Sequence, residues 1–173
     1  MYRYEVVSGK GIPALLDKEK KLVGLEIGCD VGETAEFMLM EVPNLTLHVI
    51  DPYVDYVDWN SNFLHQRDSM FNDVKVRFFD YRERFVIHRK YSDDAVNDFE
   101  DNSLDYIFID GLHTYEQVLL DCKNYYSKVK EGGVFSGHDY NAIPGVRQAV
   151  QEFAASVNKT ILETSQDVWY WIK

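Results

Sequence analysis

One stretch, Leu104 to Tyr140, limits the folds open to this chain more than any other. It reads Leu-Asp-Tyr-Ile-Phe-Ile-Asp-Gly-Leu-His, then a run with helical spacing, then Gly-Gly-Val-Phe-Ser-Gly-His-Asp-Tyr. Tyr106 to Ile109 is an apolar run of β-branched and aromatic side chains, as in a buried strand, and Asp110-Gly111 stops it. Thr114 and Gln117 have the spacing of a helix capping box. Leu119, Cys122, Tyr126 and Val129 follow at helical intervals, which predicts a helix closed by Gly132-Gly133. Val134 to Ser136 predicts a second strand, ending in Gly137-His138-Asp139. Two strands joined by a helix form a right-handed crossover and lie parallel. Asp110, His113, His138 and Asp139 are therefore expected on one sheet edge, where open α/β folds bind ligands.

The rest of the chain repeats the alternation. Lys21 to Ile27 predicts a first strand, Gly28 to Gly32 a turn, and Glu33 to Val42 a helix that Pro43 stops. Leu45 to Ile50 and Phe85 to His88 read as two more strands, the second followed by a helix from Ser92 to about Phe99. Val146, Ala149, Val150, Phe153, Ala154 and Val157 mark an amphipathic helix. Thr160 to Glu163 and Val168 to Ile172 are strands too close in sequence for a crossover, so they predict an antiparallel hairpin. The expectation is an α/β, doubly wound sheet with one antiparallel strand, in a single domain over residues 1–173.

Charge narrows the partners. With 29 acidic against 18 basic side chains the formal net charge is -11. Such a surface repels phosphate backbones and anionic lipid, which argues against nucleic acid and membrane. Two cysteines, Cys29 and Cys122, make no disulfide framework or zinc spacing, and no apolar run approaches membrane-spanning length. A cytoplasmic location is expected. Self-association into a homo-oligomer is left open.

The strand ends carry the candidate chemistry. Glu26-x-Gly28-x-x-x-Gly32 lies at a strand-to-helix turn, where glycine admits close approach and the helix start offers free N–H groups. Asp30 replaces the middle glycine of the dinucleotide fingerprint and would repel a pyrophosphate, which argues against a nicotinamide cofactor. A ligand with a cationic or zwitterionic head suits Glu26 and Asp30; a plain tight turn is the competing reading. Asp51, 19 positions beyond Gly32, ends the second strand where an acid can take ribose hydroxyls, or it simply opens a turn before Pro52. His113 could serve as a base: its ordinary pKa is about 6.5, and Asp110 nearby would raise it toward about 7. Metal contact is the related role, and a histidine that caps the helix start or hydrogen-bonds the sheet edge is the competing reading. His48 and His88 lie inside strands and read as structural, and His65 as solvated. Val54 to Arg84 is long for a crossover and interleaves Tyr56, Trp59, Phe63 and Phe71 with Arg67, Arg82 and Arg84. It is a candidate substrate-capping region, or a helix burying its aromatics.

Taken in order, Leu-Glu-Ile-Gly-Cys-Asp-Val-Gly, Ile-Asp-Pro-Tyr, Asp-Tyr-Ile-Phe-Ile-Asp-Gly-Leu-His and Gly-Gly-Val-Phe-Ser-Gly-His-Asp-Tyr resemble the class I S-adenosylmethionine-dependent methyltransferases. More narrowly they look like the small Asp-Gly-x-His type, related to the metal-dependent small-molecule O-methyltransferases. The resemblance runs from about Leu22 to Ile172. It implies the Rossmann-like strand order 3-2-1-4-5-7-6 with strand 7 antiparallel. It also implies Glu26, Gly28 and Gly32 at the methionine end of the cofactor, Asp51 on the ribose, Tyr91 and Ser92 beside the adenine, and Asp110 as a further cofactor contact besides its catalytic role. In the metal-dependent relatives Asp110 would bind a divalent cation, magnesium or manganese, with His138 and Asp139 or Asp139 and Tyr140. This sequence departs from them by lacking Asp-Asn or Glu-Asp at the second position, so a hydrogen-bonded carboxylate pair is the alternative. The implied activity is methyl transfer to a hydroxyl of a small molecule such as a sugar or phenol. The competing reading is a non-catalytic cofactor-binding or interaction module on the same fold.

Overall fold

The computed structural model describes residues 9–54, 56–57, 64–65, 67–164 and 167–173. Its core is a seven-stranded sheet built from β1 (Leu22–Ile27), β2 (Leu45–Ile50), β5 (Phe85–His88), β6 (Leu104–Ile109), β7 (Val129–Gly137), β8 (Leu162–Glu163) and β9 (Trp169–Ile172), in the order β5-β2-β1-β6-β7-β9-β8. A separate antiparallel ribbon, β3 (Tyr56–Val57) with β4 (Leu64–His65), lies outside it. Counting sheet strands alone, the order is the 3-2-1-4-5-7-6 implied by the resemblance. All neighbours are parallel except at β9, which runs antiparallel to both β7 and β8.

Helices α1 (Glu33–Glu41), α2 (Arg67–Arg77), α3 (Ser92–Ala95), α4 (Tyr115–Tyr125) and α5 (Pro144–Ser156) complete the chain. The central strands are apolar on both sides because both faces are covered. Along β6, Ile107 and Ile109 enter one core cluster with α4 and α5, while Tyr106 and Phe108 enter the other with α1 and α2. Each large side chain so buried contributes on the order of 1.5–3 kcal/mol. Among the described residues no helix is long and apolar enough to cross a membrane.

Two expectations need correcting. Helix α4 stops at Tyr125 and passes through a single 3₁₀ turn, so Val129 begins β7 instead of ending the helix. Gly132-Gly133 is not the helix stop: it lies inside β7, where pairing jumps from Leu104↔Val129 to Tyr106↔Val134. The glycines form a strand irregularity, with Gly132 at φ 78. Thr114 does cap α4, accepting from the Gln117 amide at 3.3 Å. The reciprocal half of the box is replaced: the Gln117 side chain donates to Ser92, Asp93 and Asp121 instead. Tyr56, Trp59, Phe63 and His65 have side chains outside the described residues.

Candidate active site at the carboxyl ends of the parallel strands

Five parallel strands, β5, β2, β1, β6 and β7, end level with one another. Gly28 N donates to Ile50 O (2.9 Å), Asp51 N to His88 O (3.2 Å), Asp110 N to Ile27 O (2.8 Å) and His138 N to Ile109 O (3.1 Å). The residues after each strand therefore form one row. At Gly28 the chain runs so close that a Cβ would lie 2.1 Å from the Asp110 carbonyl oxygen, and φ there is +90. Glycine serves the protein's own packing at this point, beyond any approach of ligand. Gly32 is constrained in the same way, at φ +83 with the Phe78 ring 2.5 Å from where a Cβ would sit.

At the β6–β7 end Asp110, His113 and Asp139 offer ligand atoms that all lie within 4.8 Å of one another. His113 Nε2 is 3.2 Å from Asp110 Oδ1 and 2.8 Å from Asp139 Oδ2. His138 Nδ1 flanks them, 3.3 Å from Asp139 Oδ1 and 3.9 Å from Asp110 Oδ1. The four polar residues expected on one edge do gather there, with His113 inside the trio and His138 beside it. Hydrogen bonds to the two carboxylates raise the His113 pKa to about 9. That is beyond the value near 7 expected for a base, because two acids act on the ring where one was foreseen. His113 is thus an imidazolium at neutral pH in this state, and its proximity holds Asp139 well below the usual carboxylate range.

The β1–β2 end is acidic and mostly self-satisfied. Asp51 is buried; its Oδ2 accepts from Cys29 N (3.3 Å), Asp30 N (3.0 Å) and Arg67 (3.1 Å), and its Oδ1 from Tyr53 N (2.9 Å). Arg67 also pairs with Asp30, and the Tyr53 hydroxyl donates to Asp30 O. Arg67, one of the donors in the candidate substrate-capping region, neutralises this acid pair from the start of α2. Arg84 likewise serves the scaffold, donating to the carbonyls of Leu39, Val42 and Leu45. Arg82 donates to Phe79 O, and Phe71 packs against Tyr53.

Glu26 is the exception to this self-sufficiency. It is 2% exposed, and its Oε2 has no hydrogen-bond partner among the described residues. Burial, reinforced by Asp110 and Asp51, pushes its carboxyl well above the ordinary range. A buried acid lacking a partner beside the strand-end row suits a ligand cation.

A family model described as a methyltransferase domain matches residues 25–140, which include every one of these strand ends. The chain belongs to this family. Among solved structures, the methyltransferase is similar to the O-methyltransferase NovP, with a TM-score of 0.68 at 21% identity over 94% of this chain and 80% of that one. It is also similar to the S-adenosylhomocysteine-bound methyltransferase PaMTH1 of Podospora anserina, with a TM-score of 0.62 at 15% identity over 90% and 74%. Spermidine synthase of Thermotoga maritima shares the fold at a TM-score of 0.60 and 20% identity, over 98% of this chain and 56% of that one. At these identities the likeness speaks for the fold. No curated protein sequence matches it.

The remaining expected positions of this class I, S-adenosylmethionine-dependent methyltransferase fall along the same row. Tyr91 follows β5 and exposes 56% of its surface, while Ser92 opens α3, its Oγ accepting from Gln117 and its carbonyl from the Tyr125 hydroxyl. Tyr140 lies one residue past Asp139 and is buried. The His48 and His88 rings pair with each other, Nδ1 to Nε2 at 2.9 Å, with His88 in turn on Asp98. The sequence held no signal for Arg67 as partner of Asp51 beyond the surplus of acids at two strand ends, which demands some cation.

Proposed function

We propose that this methyltransferase moves a methyl group from S-adenosylmethionine to a hydroxyl of a small sugar- or phenol-like acceptor, in one domain over residues 1–173. The observation that carries the reading is the convergence of Asp110, His113 and Asp139 at the end of β6 and β7. Two carboxylates and an imidazole are a donor set suited to magnesium or manganese, with open positions left for water and acceptor. A divalent cation held by them would supply Lewis acidity, lowering the pKa of a hydroxyl placed there. His138, 3.3 Å from Asp139, is placed to orient that carboxylate or to complete the set.

The cofactor brings an activated methyl on a sulfonium, so the chain's task is placement and deprotonation. Glu26 Oε2 would take the cofactor's ammonium, matching a buried acid that lacks a partner. Asp51 Oδ1, which accepts one backbone bond, has a lone pair left for a ribose hydroxyl. Tyr91 and Ser92 would border the adenine. The acceptor would enter on the side of the β3–β4 ribbon, within the 54–84 region. The net charge of -11 and the acids of the site favour a neutral or cationic acceptor over a phosphorylated one.

A second reading, a cofactor-binding module without turnover, draws support from His113, which already carries a proton and occupies both carboxylates. One assay decides between them. Purified chain is mixed with S-adenosylmethionine, magnesium or manganese and a panel of catechols and sugars, and S-adenosylhomocysteine release is followed. Turnover that is lost in Asp110→Asn supports the enzyme. Tight cofactor binding with no turnover across the panel supports the module.

A further inference from the structure

The chain leaving Asp139 turns its next three amides toward a single residue of the terminal hairpin. Tyr140 N donates to the Asp167 carbonyl at 3.4 Å, Asn141 N to Asp167 Oδ1, and Ala142 N to Asp167 Oδ2 at 2.9 Å. Asp139 itself sits at φ 60, a left-handed conformation that residues other than glycine keep only where their surroundings hold them. Asp167 shares that conformation at φ 67, so the clamp and the clamped residue are both fixed turns.

Other contacts grip the same segment without replacing Asp167. Arg147 donates to the carbonyl of Tyr140 (3.1 Å) and to both the carbonyl (3.3 Å) and the side chain (2.9 Å) of Asn141. Asn141 Nδ2 reaches Glu163 at 2.6 Å, and Trp169 Nε1 holds the His138 carbonyl at 3.2 Å. Those residues take carbonyls and side chains; the amides go to Asp167, Tyr140 N to its carbonyl and Asn141 N and Ala142 N to its carboxylate through charge-assisted bonds. The Asp139 carboxylate projects from this turn to His113, 2.8 Å away.

We propose that Asp167 is the positioning residue for Asp139. By fixing the amides of residues 140–142 it sets where the Asp139 carboxylate stands relative to His113 and Asp110. Residues 25 to 27 positions apart in sequence are thereby joined, and the β8–β9 hairpin becomes part of the site without touching a ligand. The consequence for a cation rests on the proposed metal reading, since magnesium tolerates little departure from ideal geometry. The geometric claim stands apart from it.

The test uses the full chain and two variants, Asp167→Asn and Asp167→Ser. Asparagine keeps the shape but turns an N–H₂ toward one of the amides; serine removes the carboxylate. Manganese affinity is measured by electron paramagnetic resonance, S-adenosylhomocysteine affinity by calorimetry, and amide exchange at Asn141 and Ala142 by NMR. Expected are a manganese Kd raised about tenfold or more, as for residues that orient metal ligands, an S-adenosylhomocysteine Kd within about twofold of wild type, and faster exchange at the two amides. Manganese affinity within about twofold of wild type overturns the inference, as does a parallel loss of both affinities. If the wild type binds no manganese, the metal reading fails and crystal structures of the variants decide this one. Separation of His113 from Asp139 beyond hydrogen-bonding distance supports it, and an unchanged contact overturns it.

Discussion

His113 Nε2 stands 2.8 Å from Asp139 Oδ2, so one imidazolium bridges the loop after β6 and the loop after β7. Neither strand alone makes a site. The contact exists because Ile109 pairs with Gly137 in register, bringing both loops out at the same level.

Asp139→Asn and Asp110→Asn should each raise the manganese Kd at least about tenfold and lower turnover by about a hundredfold, on the scale of a lost ligand's electrostatic contribution. In Asp139→Asn, S-adenosylhomocysteine affinity should stay within about threefold, because Glu26 and Asp51 lie on other strands. Addition of a chelator to the wild type should have the effect of the variants, reversed by excess magnesium. Undiminished turnover in either variant would remove the trio from the chemistry.

Glu26→Gln separates stability from cofactor binding. The Glu26 carboxyl is raised well above its ordinary 4.5 by burial. A raised acid favours the fold fully only below its unfolded value, and that contribution is lost as pH rises through the folded one. The amide imitates the protonated acid, so the ligand-free variant should melt higher than wild type at pH 8, with the difference vanishing toward pH 4. Loss of a charged partner for the cofactor's ammonium should weaken S-adenosylhomocysteine binding roughly ten- to a hundredfold. Melting curves and calorimetry check the two halves; a variant that binds as tightly as wild type would vacate the role given to Glu26.

Asp121, on α4, offers a second pH lever. It is 1% exposed, and burial, opposed by hydrogen bonds from Ser92 and Gln117, lifts its pKa from 3.8 to about 6. The fold again favours the protonated form, so this contribution is complete below pH 3.8 and lost as pH passes about 6. Asp121→Asn should stabilise the protein above pH 6, by at most about 3 kcal/mol, and be neutral near pH 4. Denaturant unfolding at pH 4 and pH 8 reads both values, and equal effects at the two would contradict the assignment.

Gly28 and Gly132 both have positive φ, yet they should respond differently to alanine. At Gly132 a Cβ meets nothing within 4 Å, so only backbone strain of about 1 kcal/mol opposes it. At Gly28 the Cβ meets the Asp110 carbonyl oxygen at 2.1 Å and Gly111 Cα at 2.8 Å, backbone that cannot move aside. Gly28→Ala should cost more than about 4 kcal/mol and disturb Asp110. Thermal melts of the two variants make the comparison; a Gly28→Ala protein as stable as Gly132→Ala would refute the steric account.

Much of this was legible in residue patterns because parallel strands buried on both faces advertise themselves. Tyr106 to Ile109 and Leu45 to Ile50 are short apolar runs, and the acids that stop them mark the site edge. The pattern failed where two structures share a spacing. Val129 fits the helical interval from Cys122 and Tyr126, yet its pairing with Leu104 places it in β7, and Gly132-Gly133 punctuates a strand as readily as it ends a helix. Long-range polar pairing left no local trace. Arg67 looked like a substrate donor, but α2 brings it to Asp30 and Asp51. Asp167 looked like a hairpin linker, because nothing near it in sequence tells of Asp139. Histidine basicity was underestimated for the same reason: Asp110 is three residues from His113, but Asp139 joins it only through the sheet.

Tyr53 and Arg67 both close on Asp51 and Asp30, one on each side of the β3–β4 ribbon. Tyr53 and Arg67, 14 positions apart, are thus held side by side by the same two acids, and these contacts are made by the residues flanking 54–66. Doubling the length of such a closed loop costs only about 0.6 kcal/mol. Exchange of that stretch should therefore leave the contacts among Asp30, Asp51, Tyr53 and Arg67 as they are, and under the proposed function it is there that acceptor preference would be altered.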